Sequence, residues 1–171
     1  MDDPAALAVA GSGGDFGVGC GVLILICPSE VADARMRMFN ADGSEAQMCG
    51  NGIRCVAKYS YDHGLAQGGG EFTVAGQGSF SSSLRVGTGR GILPLGLGIS
   101  GDGKVERVCV NMGQPILAAS EIPTVLDMEK IVNETIEIDG LEYSMSCVSM
   151  GNPHAVFFCD DADEVEIERI G

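Results

Sequence analysis

The chain has 171 residues, 45% of them hydrophobic, and a formal net charge of −14. That length can bury a respectable core, as one domain or two small ones, and the composition is that of a globular protein. Strong acidity without any cluster of Lys or Arg argues against nucleic acid and against an anionic membrane surface, and no apolar run is long enough to span a bilayer.

Met1-Asp2-Asp3-Pro4 lacks the basic start of a secretory signal. The seven cysteines are odd in number and irregular in spacing, with no Cys-x-x-Cys pair, which fits a reducing, cytoplasmic compartment rather than a disulfide framework. With only two histidines, no structural zinc site is expected.

Asp3-Pro4 predicts a capped short helix over residues 5–10, with Pro4 at the first helical position and Gly11 ending it. The glycine-dense loop over 11–21 contains Gly17-x-Gly19-x-Gly21. A dinucleotide loop follows a strand and opens a helix, whereas these glycines precede an apolar strand over 22–27, so a nucleotide site is rejected. Residues 30–35 read as a polar connector and 36–40 as a short strand. Ile53, Val56, Ala57 and Tyr61 then recur at helical spacing, with Gly64 as a stop. In the glycine- and serine-rich region beyond, segments 71–75, 79–86, 92–99 and 105–112 read as strands, with a hairpin tip at Gly101-Asp102-Gly103.

Residues 118–123 read as a linker and 124–133 as helical. Segments 135–138 and 142–150 read as strands around an Asp139-Gly140 turn. Met150-Gly151-Asn152-Pro153-His154 reads as a turn before a strand over 155–159. Asp161 with Glu164 has the capping-box spacing of a helix running to Gly171.

The chemistry centres on Cys49, which precedes a Gly50-Asn51-Gly52 corner and the helical run. At a helix start, unpaired amide N–H groups and the positive dipole end face the sulfur and favour a thiolate. The flanking glycines let backbone amides approach a bound group closely. Burial as a small hydrophobe is the commoner fate of a free cysteine. Cys49 with His154 could also form a nucleophile–base pair, as in cysteine hydrolases. Asn40, Asp42 and Ser44 have the spacing of a calcium loop, but Glu45 stands where that loop needs glycine. The remaining cysteines, including Cys55 within the helix, read as structural. On the residues alone, acid/base and hydrolase readings stay open, and Asn40 and Asn152 could equally satisfy turn backbone.

Arg37-x-Phe39-Asn40-Ala41-Asp42-Gly43-Ser44-Glu45, followed by Cys49-Gly50-Asn51-Gly52-x-Arg54-Cys55, resembles the first signature of the diaminopimelate epimerases. Val110-Asn111-Met112-Gly113-x-Pro115 and Met150-Gly151-Asn152-Pro153-His154 resemble two further stretches of that family in the same order, and Gly17-Val18-Gly19 before an apolar strand is similar too. The resemblance implies an α+β fold in which a mostly antiparallel, mixed sheet wraps around a central helix. Residues 1–117 would form the first lobe, without the family's opening strand, and 118–171 the start of a truncated second lobe. It implies a cofactor-independent epimerase of a small amino-acid substrate, using two opposed cysteines and no metal, with a homodimer left open. Cys49 would be one of the two acid/base cysteines. Gly50 and Asn51 would donate to the substrate α-carboxylate, Asn40 and Asn152 would hold its polar groups, and His154 would act beside the site.

Two departures qualify this. Gly14-Asp15-Phe16 only echoes the family's opening substrate motif, and the second Cys-Gly-Ser-Gly loop has no counterpart before Gly171. A two-base reaction with one base does not complete inversion, so weak or absent racemisation is expected of these residues alone. The alternatives are an inactive or regulatory amino-acid-binding half-site, or an epimerase of another amino acid.

Overall fold

The computed structural model describes residues 3–13, 19 and 21–170. Gly14-Asp15-Phe16, Gly17, Val18 and Cys20 lie outside them, so the structure does not bear on the Gly-Val-Gly stretch or the rejected nucleotide loop. The chain divides into two units, Met1–Met112 and Gly113–Gly171.

The first unit opens with α1 (Pro4–Ser12), where the Asp3 carboxylate accepts from the Ala6 amide at 2.9 Å. Gly11 does not end this helix as its sequence suggested. One glycine costs a helix only about 1 kcal/mol, and Ser12 continues it by donating to the Ala8 carbonyl at 2.8 Å. Next come β1 (Val22–Cys27), β2 (Ala34–Asn40), β3 (Glu45–Ala46) and α2 (Gly50–Asp62). Then follow β4 (Phe72–Val74), β5 (Gly78–Phe80), β6 (Ser82–Thr88), β7 (Gly91–Ile99) and β8 (Val105–Val110).

The main sheet runs β1-β2-β6-β7-β8, with β3 added to β2. Only β2 and β6 pair in parallel, and α2 lies in the connection between them. The segment expected as one strand over 79–86 is two. β5 pairs with β4 as a separate hairpin, while β6 turns into the main sheet. The hairpin seats on β7 through a missing side chain. A Cβ on Gly96 would stand 2.7 Å from the rings of both Phe72 and Phe80.

α2 packs against β1, β2, β6 and β8, so the sheet curls around it. Its buried face is Gly52, Ile53, Val56, Ala57 and Ser60, against a core that includes Leu84, Val86, Leu95 and Leu97. This is the α+β arrangement expected, a mixed sheet wrapped around one helix. The spacing of Ile53, Val56 and Ala57 located the helix correctly. Cys55 is a correction. It sits two residues from Ile53, about 200° around the helix, and is exposed rather than core. At the far end, the Asp62 carboxylate accepts from Lys58 Nζ at 2.7 Å and from the Val105 amide at 2.8 Å. Lys58 Nζ also donates to the Val105 carbonyl at 2.6 Å, tying the helix end to β8. Gly64, at φ 69°, follows the helix as predicted.

The second unit is the antiparallel sheet β11-β10-β9, built from β9 (Glu134–Ile138), β10 (Leu141–Ser149) and β11 (Pro153–Phe157). Asp139 and Gly140 both take positive φ (52° and 78°), the paired left-handed turn that suits a two-residue hairpin. Residues 118–123 are not a linker. A short 3-10 helix, Ala119–Glu121, buries Ala119 and brings Ile122 into a small core with Ile131, Met145 and Cys147. The helix expected over 124–133 does not form, because its backbone pairs outward. The Ala119 amide donates to the Glu129 carbonyl at 3.0 Å, and the Cys147 amide to the Ile131 carbonyl at 3.0 Å. Likewise the capping-box helix is interrupted. Asp161 caps a 3-10 turn, Ala162–Glu164, by accepting from the Asp163 amide, and only Ile167–Ile170, α3, is helical. Cys159 is a further correction, exposed beyond the end of β11. Among the described residues no helix is long and apolar enough to cross a membrane.

Candidate active site

The site is built at the start of α2. Met48 is buried and anchors the incoming chain. Cys49 follows as the N-cap, extended at φ −143° and ψ 113°, and its Sγ accepts from the Gly52 amide at 3.3 Å. Its carbonyl accepts from the Ile53 amide at 2.9 Å. Sulfur thus takes the place that an Asp or Ser oxygen usually holds at a cap. The thiol is half-buried. Of the six described cysteines, only Cys49 caps a helix. Cys27, Cys109 and Cys147 lie in strands, Cys55 lies within α2, and Cys159 follows β11.

Helix geometry leaves the Gly50 and Asn51 amides without an intrahelical acceptor, next to the sulfur. These N–H groups and the helix dipole make a place for an anion beside the thiol. Gly52 packs closely against its neighbours. A Cβ there would sit 2.8 Å from Ile24 Cδ1 and 3.5 Å from Cys49 Sγ. Met112 packs over the same end, 3.9 Å from where a Gly50 Cβ would be. The Asn51 carbonyl oxygen accepts from the Arg54 guanidinium, which leaves its NH₂ group to donate outward.

The loop leading in is braced twice. Arg37 on β2 and Glu45 on β3 form a two-point pair at 2.8 and 2.9 Å, which holds the Glu45 carboxyl below its ordinary range. Between them, Asn40 Nδ2 donates to Ser44 Oγ at 3.0 Å, and Ser44 Oγ donates to Asp42 at 2.6 Å. The Ser44 hydroxyl and then its amide hold the Asp42 carboxyl below the usual carboxylate range. One Asn40 donor is therefore spent inside its own turn, and its side-chain oxygen remains to accept.

Asn152 and His154 belong to the second unit. Asn152 is exposed in the turn after β10, with its carbonyl accepting from the Met150 amide at 3.3 Å. His154 stands on β11 opposite Val148, exposed, so it is a strand residue and not part of the turn. The structure therefore gathers Cys49, Gly50 and Asn51 at one helix end with the Asn40 turn one short strand upstream, and places Asn152 and His154 together on the other unit. The Arg37–Glu45 brace was not singled out from the sequence. Its signal was there, since Arg37 lies on the strand and Glu45 just past the turn that would bring it back alongside.

The family model described as diaminopimelate epimerase matches residues 13–117. The diaminopimelate epimerase of Agathobacter rectalis is 46% identical over 178 residues, covering 100% of this chain and 58% of that protein. That of Acetivibrio thermocellus is 45% identical over 171 residues, covering 100% of this chain and 56% of that protein. The chain therefore spans somewhat more than half the length of the curated relatives it matches. A solved hydroxyproline epimerase from Agrobacterium vitis superimposes with a TM-score of 0.64 at 16% identity, covering 90% of this chain and 40% of that one. At that identity the likeness concerns the fold alone.

Proposed function

The chain belongs to the diaminopimelate epimerase family, and we propose that it carries one acid/base half of an enzyme interconverting LL- and meso-diaminopimelate. The observation that carries this is the Cys49 thiol at the head of α2, hydrogen-bonded by the Gly52 amide inside the family-matched region.

Cys49, as thiolate, takes the α-proton onto sulfur, and the C–H electron pair stays on the α-carbon, delocalised into the carboxylate. The Gly50 and Asn51 amides receive that carboxylate and stabilise the charge as it grows, without having to reorient. The Asn40 side-chain oxygen and the Asn51 amide group orient the substrate, and the family resemblance assigns supporting roles to Asn152 and His154. Inversion requires a proton delivered to the opposite face. We assign that step to a second cysteine loop of the family, because no other described cysteine of this chain caps a helix. Residues 1–117 serve as the first lobe and 118–171 as the start of the second. The six described cysteines are free, which fits a reducing compartment, and we place the enzyme in the cytoplasm.

Substrate choice is tested by α-proton exchange. Incubated in D₂O with diaminopimelate, histidine or proline, the protein is expected to label the diaminopimelate α-carbon at least about 10-fold faster than the others. Equal labelling of another amino acid would replace the substrate assignment. Binding of diaminopimelate without any exchange would favour a regulatory half-site.

A further inference from the structure

The turn between β6 and β7 touches the chain just ahead of Cys49. A Cβ on Gly89 would lie 2.9 Å from Gln47 Cα, 3.1 Å from the Gln47 carbonyl oxygen and 3.3 Å from Gln47 Cβ. The first two are backbone atoms, which cannot rotate away as the end of a side chain can. Gly89 does not have the positive φ that would itself require glycine, unlike its neighbour Gly91 at φ 121°. The glycine is therefore required by the contact and not by the turn.

Neither side of the contact yields readily. β6 and β7 pair from Ser82↔Leu97 to Thr88↔Gly91, and the Thr88 hydroxyl straps the turn. That hydroxyl donates to the Gly91 carbonyl at 2.9 Å and accepts from the Arg90 amide at 3.2 Å. On the other side Gln47 is followed by buried Met48 and then by Cys49, held at its cap by Gly52 and Ile53. Only Met48 separates Gln47 from Cys49 along the chain.

We infer that Gly89 is a positioning residue for Cys49, setting the aim of its sulfur through backbone contact with Gln47. Its catalytic relevance rests on the reading of Cys49 as the base, but its test uses no substrate. Alkylation by iodoacetamide is followed against pH, cysteine by cysteine, by peptide mass spectrometry. In Gly89→Ala the Cys49 rate should change by roughly threefold or more with a displaced pH midpoint, since thiol reactivity follows thiolate fraction and access. Cys27 and Cys109, half-buried in the same sheet, should change less than about 1.5-fold. Gly101→Ala, where an added Cβ meets nothing within 4 Å, is the control and should leave Cys49 unchanged. A Cys49 profile that is unmoved in Gly89→Ala, or that moves in step with Cys27 and Cys109, overturns the inference. If Gly89→Ala does not fold, Thr88→Val removes the strap without adding bulk. A change of about twofold confined to Cys49 supports the inference, and no change overturns it. Exchange that survives Cys49→Ser would remove the catalytic reading while leaving this positional result intact.

Discussion

Cys49 caps a helix, and in the proposed reading it also presents the reactive group, two jobs that usually fall to different residues. That combination separates stability from chemistry in a single substitution. Serine is among the preferred cap residues, so Cys49→Ser should keep α2 and change stability by no more than about 1 kcal/mol, measured by urea unfolding. A loss of several kcal/mol would mean that the sulfur is held mainly for packing. Much of this residue was legible beforehand. A cysteine before Gly-Asn-Gly and a 3.6-residue apolar pattern already places a thiol at a helix start. Gly89 was not legible, because its contact with Gln47 joins distant parts of the chain and leaves no local pattern. The exposure of Cys55 could have been read, since its angle around the helix is fixed once Ile53, Val56 and Ala57 define the buried face.

At the level of elements, α2 is pinned at its far end by Asp62, which joins Lys58 and the start of β8. The hydrogen bond from Lys58, and then that from the Val105 amide, holds the Asp62 carboxyl below its ordinary range. A carboxylate with a depressed folded-state pKa contributes stability above its unfolded value, and that contribution is lost as pH falls through the folded value. Urea midpoints taken from pH 6 downward should therefore fall below about pH 4, and less steeply in Asp62→Asn. An unchanged slope in that variant would show that the acid loss arises elsewhere. The β4–β5 hairpin has its own anchor at Gly96. Gly96→Ala should cost about 1–3 kcal/mol, because two aromatic rings occupy the space.

Strands were the most readable elements where turns bounded them. β1 matched residue for residue, and Asp139-Gly140 marked its hairpin. The segment 124–133 misled because its composition tolerates a helix, while its carbonyls and amides are used to pair with neighbouring backbone. Local propensity does not reveal where a backbone finds its partners.

Across the whole molecule, the candidate residues fall in both units. The first holds Cys49, the Gly50 and Asn51 amides and the Asn40 turn, and the second carries Asn152 and His154. The fold class was legible through the family resemblance, and one amphipathic helix among many short strands agrees with it. A joint role for His154 and Cys49 rests on the family resemblance alone, since no local pattern connects them.

The central claim is that Cys49 is the acid/base thiol and the one such thiol among the described cysteines. It is tested most directly by incubating this chain and its Cys49→Ser variant with LL-diaminopimelate in D₂O and reading both deuterium content and configuration at the α-carbon. One working base predicts deuterium entering with the LL configuration largely retained, inversion slower by about 10²-fold or more, and both lost in Cys49→Ser. Exchange that persists in the variant, or inversion as fast as exchange in this chain, would contradict it.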